Sequence, residues 1–300
     1  MAGLPILVIG AEGQLARALG RHKRIDGHPI VCRGRPDAEV TDASALQRLF
    51  NACAPAAVVN AAGYTAVDAA EADAGSAFAV NAEGPEHLAR LCRDRQIPLV
   101  QVSTDYVFDG GRQTPYCETD PIAPLGVYGA SKAAGEAAIR RVHTQHVILR
   151  TAWLYSLDGH NFLNSMRRLG AEREEISVVD DQVGSPTWTA DLAAAIVTIL
   201  RPLLTNAADD RWGTYHLTSR GATTWHGFAR EIFRLAAAAG HPTPRLEAIT
   251  TAAYAAPAAR PAYSVLDNSK IEAAFGIRLP PWQASLARCL AAATAGAKVA

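Results

Sequence analysis

Neither sign of charge is in excess in this chain of 300 residues. Its 29 lysines and arginines face 29 aspartates and glutamates, for a formal net charge of +0. A protein that grips nucleic acid by the phosphate backbone carries a basic surplus, so general nucleic-acid binding is not expected, and neither is a polybasic membrane anchor. Long apolar runs are missing as well. A bilayer span takes roughly 20 apolar residues. The run Leu4–Ile9 is too short for a signal-peptide core and has no basic residues before it. Cysteines are few: Cys32, Cys53, Cys92, Cys117 and Cys289 are odd in number, scattered and never in a CxxC pair. That usage fits reduced thiols in a cytoplasmic protein. Charged residues are only 19% and hydrophobic ones 49%, which excludes a disordered chain. At this length one large core, or two smaller ones, forms without a disulfide or metal staple.

What is present is a rhythm. Pro5–Ile9, His28–Cys32, Ala56–Asn60, Ile97–Val102 and His146–Arg150 are short apolar runs that read as buried parallel strands. Helical spacing follows them at Gly13 to about Lys23, Ala74–Arg95 and Val127–His143. The alternation predicts an α/β fold: a doubly wound parallel sheet of Rossmann type over residues 1–150. After 150 the rhythm loosens into helices near 161–170, 189–200, 224–239 and 281–295, with strands near 176–179 and 214–217. Residues 151–300 therefore read as a smaller, partly discontinuous α/β substrate lobe, with about 176–200 and 213–218 returning to the first domain. No repeat of 20–50 residues is present.

Four segments carry chemistry. Gly10-Ala-Glu-Gly13-Gln14-Leu15-Ala16 stands between the first strand and first helix. Gly10 permits a tight turn, Gly13 lets backbone approach a pyrophosphate, and Ala16 is small enough for close helix–strand packing. At the end of the second strand, Arg33-Gly-Arg35 stands where an NAD-selecting acid would be. Two guanidinium groups there suit a 2′-phosphate, and the alternative is two solvated arginines. Tyr128 and Lys132 are spaced i, i+4 and so share a helix face. A neighbouring ammonium and a bound oxidised nicotinamide would favour the phenolate, so the phenol pKa is expected to fall. Ser103-Thr104-Asp105 follows the fourth strand, where ligands of open α/β sheets bind. A hydroxyl there can meet a substrate carbonyl, or simply satisfy a turn. No His/Cys cluster has metal-ligand spacing. His143 and His146, at i, i+3, read as a solvated helix end.

Together with Asn60–Asp68, Arg150–Tyr155, Asp181–Thr187 and Arg260–Ser264, these segments resemble the dTDP-4-dehydrorhamnose reductase family of the extended short-chain dehydrogenase/reductase superfamily, over roughly Ile6 to Leu290. The resemblance implies reduction of the C4 keto group of a dTDP-sugar with NADPH, or with NADH. By that resemblance Tyr128 protonates the C4 oxygen, Lys132 holds the nicotinamide ribose and lowers the tyrosine pKa, and Thr104 hydrogen-bonds the keto oxygen. Gly10, Gly13, Gln14 and Leu15 would line the pyrophosphate, with Arg33 at the 2′-phosphate and Glu39 and Val40 on the adenine side. Ala62, Gly63 and Tyr64 fall beside the cofactor, Thr65 and Val67 near the cofactor–sugar junction, and Asp105 and Trp153 facing the nucleotide-sugar.

Some members of the family dimerise through glutamates that ligate Mg²⁺. Here Arg17-Ala18 and Thr189-Ala190 occupy those neighbourhoods, so no metal is expected, and a monomer or weak homodimer is. Two other functions compete. A non-catalytic regulatory relative would tend to have lost the Tyr/Lys pair, which this chain keeps. A nucleotide-sugar dehydratase would need an acid–base pair beside the threonine, whereas Tyr106 follows Asp105. An epimerase would hold NAD tightly.

Overall fold

Runs such as Ile6–Ile9 and Ala57–Asn60 offer no face to water, and the structure buries every residue of both. The structure is a computed structural model and describes residues 3–206 and 209–297. The first half runs β1 (Ile6–Ile9), α1 (Gln14–Gly20), β2 (Arg24–Ile25), β3 (His28–Arg33), α2 (Ala43–Cys53), β4 (Ala57–Asn60), α3 (Val67–Ala72) and α4 (Ala74–Phe78). A π-helical turn (Ala79–Glu83) leads into α5 (Gly84–Arg95), β5 (Leu99–Thr104), α6 (Val127–Val142) and β6 (His146–Thr151). Then come β7 (Leu154–Tyr155), α7 (Phe162–Glu172), β8 (Glu175–Val179), β9 (Val183–Gly184), β10 (Thr187–Trp188) and α8 (Thr189–Thr205). The chain ends with β11 (Gly213–His216), β12 (Thr223–Thr224), α9 (Trp225–Ala238), β13 (Arg245–Ile249), α10 (Thr251–Tyr254), α11 (Ser269–Phe275) and α12 (Trp282–Ala297).

Seven strands make the central sheet in the order β11-β6-β5-β4-β1-β3-β2, all parallel except the hairpin strand β2. One face packs against α1 and α8 around Leu15, Leu19 and Ile196, the other against α2 and α5 around Leu46, Phe50 and Leu88. Strands add to one side of β1 with β3 and to the other with β4. This reversal opens a crevice outside the carboxyl ends of β1 and β4. A third apolar cluster, around Tyr155, Phe228 and Trp282, holds the second half together.

The structure corrects three sequence expectations. Ala74–Arg95 is not one helix: the π-helical turn interrupts it and Pro85 opens α5. Within 176–200 the helix α8 packs against the central domain, through α1 and β2. Ile176–Val179 instead pairs, in parallel, with Leu246–Ile249. His143 and His146 are buried rather than solvated, and a backbone carbonyl meets one nitrogen of each ring: that of Ile97 meets His143 Nε2 at 3.0 Å and that of His143 meets His146 Nδ1 at 2.5 Å.

Candidate active site

A cleft of about 660 Å³ runs along the carboxyl ends of β1, β4, β5 and β6. Its β1 end is a turn only glycine can make. Gly10 has φ +97°, and a Cβ there would fall 2.8 Å from the Ala62 nitrogen. The Gly13 N–H donates to the Gly10 carbonyl at 2.8 Å, and Gly13 caps α1 without a side-chain bond, leaving the first helical N–H groups open to the cleft. Such a cradle fits a dinucleotide's phosphates. The Gln14 side chain turns across the cleft. It donates to the Leu154 carbonyl at 3.2 Å and accepts from Ser156 at 3.0 Å and Asn161 at 3.4 Å. Leu15 joins the lining. Arg33, at the end of β3, accepts the Gly10 and Ala11 N–H groups on its carbonyl, while its exposed guanidinium donates to the Cys32 carbonyl.

Tyr128, Lys132, Thr104 and Asp105 meet on the wall formed by α6 and β5. The helix reaches them by close backbone approach: a Cβ on Gly129 would fall 2.1 Å from the Tyr106 carbonyl oxygen, and one on Gly135 2.1 Å from that of Asn81. Burial pushes the Tyr128 phenol up to about 12. Hydrogen bonding with Thr104 works against the rise, and the Asp105 charge adds to it. The expected fall is therefore absent in the protein alone. Desolvation outweighs the hydrogen bond, and the Lys132 ammonium is engaged elsewhere, donating to the Val102 carbonyl at 2.6 Å. Burial pulls Lys132 itself down to about 8 against the opposing pull of Glu136. Asp105 is lifted to about 6 by burial, partly offset by hydrogen bonds from Ser264 and Thr104, and its Oδ2 is buried without a partner. The Thr104 hydroxyl donates to Asp105 Oδ1 at 3.0 Å. A protonated phenol, a hydroxyl and an ammonium around one cavity can polarise a carbonyl and protonate its oxygen.

The turn after β4 supplies Ala62, Gly63 and Thr65 to the cleft. Asn60 shapes that turn by accepting the Ala62 N–H at 3.1 Å. Trp153 lines the same cavity in a left-handed conformation, φ +47°, stacked on Trp225 at 3.5 Å. Tyr64 and Val67 lie outside the cleft lining. The Tyr64 phenol points to Asp73, and Val67 lines a separate hollow of about 10 Å³ behind Tyr128. Glu39 and Val40 are outside it too: the Glu39 carboxylate accepts the Thr41 N–H, and Val40 is buried against Gly84. Among the described residues no three histidine, cysteine or acidic side chains come together as a metal cage.

Sequence reasoning missed four contributors. Asn81, in the π-helical turn, clamps both backbone groups of Tyr64 and donates to Ser131 on α6. This ties the β4 turn to the helix that carries Tyr128. Thr151 ends β6 in register with Thr104 and lines the cleft with its hydroxyl unpartnered, which its place at a strand end could have signalled. His160 and Asn161 reach the cleft only because the loop after β7 folds back onto Gln14, and no local pattern announces that contact.

Residues 4–295 match the family model described as RmlD substrate binding domain. A dTDP-4-dehydrorhamnose reductase of Sinorhizobium fredii is 40% identical over 283 residues, covering 94% of this chain and 95% of that protein. One of Streptomyces griseus is 44% identical over 281 residues, covering 93% and 91%. Among solved structures, the dTDP-4-dehydrorhamnose reductase of Bacillus anthracis in complex with NADP superposes with a TM-score of 0.88 at 35% identity, covering 95% of this chain and 98% of that one.

Proposed function

The chain belongs to the dTDP-4-dehydrorhamnose reductase family, and on that premise we propose that it reduces the C4 keto group of dTDP-4-dehydro-L-rhamnose with NADPH, giving dTDP-L-rhamnose, the last step in making that nucleotide-sugar. The observation that carries this reading is one cleft holding the Gly10–Gly13 cradle at one end and Tyr128, Thr104 and Lys132 at the other. Reduced nicotinamide, when bound, supplies a hydride to C4.

The chain's own residues do the rest. Gly10, Gly13, Gln14 and Leu15 hold the pyrophosphate and Arg33 the 2′-phosphate, with Glu39 and Val40, outside the cleft lining, flanking the adenine end. Ala62, Gly63, Tyr64 and Thr65 border the nicotinamide half. Thr104 hydrogen-bonds the keto oxygen. Tyr128, protonated at neutral pH because burial holds its pKa near 12, gives its proton to the C4 oxygen as charge builds there. Lys132 binds the ribose hydroxyls and stabilises the phenolate left on Tyr128. Asp105 presents its unpartnered Oδ2 to the sugar, with Trp153 and Val67 on the nucleotide-sugar side. In this reading residues 1–150, with later segments, form the cofactor half and 151–300 mainly the sugar half. The protein works in the cytoplasm as a monomer or weak homodimer, a placement supported by its five free cysteines; no helix of the described residues is long and apolar enough to cross a membrane.

The test is NADPH oxidation with enzymatically generated dTDP-4-dehydro-L-rhamnose, the product identified by mass and retention. Stoichiometric conversion to dTDP-L-rhamnose is expected. A purified protein that instead carries bound NAD and leaves NADPH untouched would favour the epimerase alternative.

A further inference from the structure

Under the wall that carries Lys132 lies a buried ionic cluster that the steps above do not use. Glu136, one helical turn beyond Lys132, is 1% exposed, and Arg150 on β6 is 2% exposed. Arg150 grips both carboxylate oxygens, Nε to Oε1 at 3.0 Å and Nη2 to Oε2 at 2.7 Å. Ser103 on β5 donates to Oε1 at 2.6 Å, and Arg140 to Oε2 at 3.1 Å. The second Arg150 nitrogen reaches His216 Nε2 on β11 at 3.4 Å, and His216 Nδ1 lies 2.9 Å from the Tyr116 carbonyl. Burying an ion pair is expensive, and an apolar pair of equal volume would often be as stable or more so, which leaves this cluster without a stability rationale of its own.

We propose that Glu136 is a positioning residue for the reduction: its carboxylate, clamped by Arg150, Ser103 and Arg140, keeps the buried Lys132 on the cleft wall an ammonium ion and locks α6 against β5. The inference rests on the role given to Lys132 above. On α6 Lys132 has Tyr128 and Glu136 one turn to either side, with Arg140 a further turn beyond Glu136; Asp105 and Tyr106 come from the turn after β5, Arg150 from β6 and His216 from β11. His216 is uncharged, since burial and the Arg150 charge lower it to about 3. Asn81 from the π-helical turn is neutral. Asp68 and Glu71 on α3 are engaged, by Arg260 and by the Val127 N–H, and Glu86 on α5 pairs with Arg90 and Arg141. Glu136 is therefore the counter-charge that offsets two guanidinium groups. With it neutralised, Lys132 confronts Arg150 and Arg140 with no carboxylate between them. Side chains at i, i+4 are ~5–6 Å apart at Cβ, a separation at which one buried charge moves a neighbour's titration by about one pH unit or more.

The test compares wild type with Glu136→Gln from pH 6 to 9.5, in kcat/KM with the keto-sugar and, without turnover, in NADPH affinity by fluorescence quenching. Wild type should lose activity as pH rises through about 8, the value set for Lys132. In the variant that limb should move down by about one unit or more, a loss of about fivefold or more at pH 8 that shrinks to within about threefold at pH 6, and NADPH affinity should follow the same shift. A loss equal at every pH, or an unmoved limb, would overturn the inference. Should the single variant not fold, Arg140→Gln replaces it: freeing the Glu136 carboxylate of one guanidinium should move the limb up in pH, and a limb that stays or moves down is the contrary result. A wild type that binds no NADPH would remove the reductase reading and this inference together, whereas a working wild type with an unmoved variant limb removes the inference alone.

Discussion

Tyr128 and Lys132 are legible in the sequence because a helix puts i and i+4 on one face, whatever else surrounds them. Their protonation states are not legible, since these follow from desolvation at the cleft wall and from carbonyl contacts that only the fold makes. Tyr128→Phe keeps the ring and its packing and removes the proton donor. Turnover should fall about 10²–10⁴-fold, with NADPH affinity near wild type; a variant retaining more than about a tenth of kcat at saturation would contradict that role. Arg33 gives a second residue-scale prediction. Its backbone is fixed to the Gly10 turn and its guanidinium is exposed, while the Glu39 carboxylate is turned to the Thr41 N–H; the role proposed for it is contact with the 2′-phosphate. Charge-assisted hydrogen bonds contribute about 1.5–3 kcal/mol, so NADPH should be preferred over NADH by roughly ten- to a hundredfold in kcat/KM. Arg33→Ala should abolish that preference, whereas equal losses with both cofactors would show that Arg33 does not read the 2′-phosphate.

At the scale of elements, β1, β3, β4, β5 and β6 are readable as short apolar runs and α1, α5, α6 and α8 by spacing, whereas the two-residue β2 and the helix α2 (Ala43–Cys53) are not read from the sequence. Nor is the π-helical turn, because it is set by what Asn81 must reach, the Tyr64 backbone and Ser131, rather than by any local preference. The β8–β13 pairing was equally hidden: Pro242 and Pro244 mark an irregular connection, and nothing local says that Arg245–Ile249 joins a strand 70 residues earlier. The packing of α6 yields a prediction. Gly135→Ala would drive a methyl group into the Asn81 carbonyl, 2.1 Å away, and that carbonyl belongs to a turn held by the Tyr64 clamp. A loss of about 1–3 kcal/mol should appear as a melting temperature lowered by a few degrees, with reduced turnover. Gly75→Ala, with nothing within 4 Å of the new Cβ, is the control and should be neutral or slightly stabilising. Equal melting temperatures for the two variants would show that α6 does not depend on this close approach.

At the scale of the whole molecule, buried histidines couple folding to acidity. His216 is fully buried and lowered to about 3 by burial and by Arg150, and His143 and His146 are lowered by burial. A group whose folded pKa is depressed below its unfolded value of about 6.5 contributes its full stability above that value and loses it as pH falls. Asp105, lifted to about 6, runs the other way and offsets part of the loss. Comparison with His216→Gln isolates one site: between pH 7 and 4.5 wild type should lose about 2–3 kcal/mol relative to the variant in denaturant unfolding. A constant difference would show that His216 is not held neutral. All of this serves one claim, that the cleft joins a dinucleotide cradle to a proton donor acting on a sugar carbonyl. The most direct measurement supplies NADPH carrying two deuterium atoms at the nicotinamide C4, together with dTDP-4-dehydro-L-rhamnose, and locates the label by NMR. One deuterium at C4 of dTDP-L-rhamnose is the expected result with wild type, with almost none formed by Tyr128→Phe in the same time. Unlabelled product, label at another carbon, or equal product from the variant would contradict it.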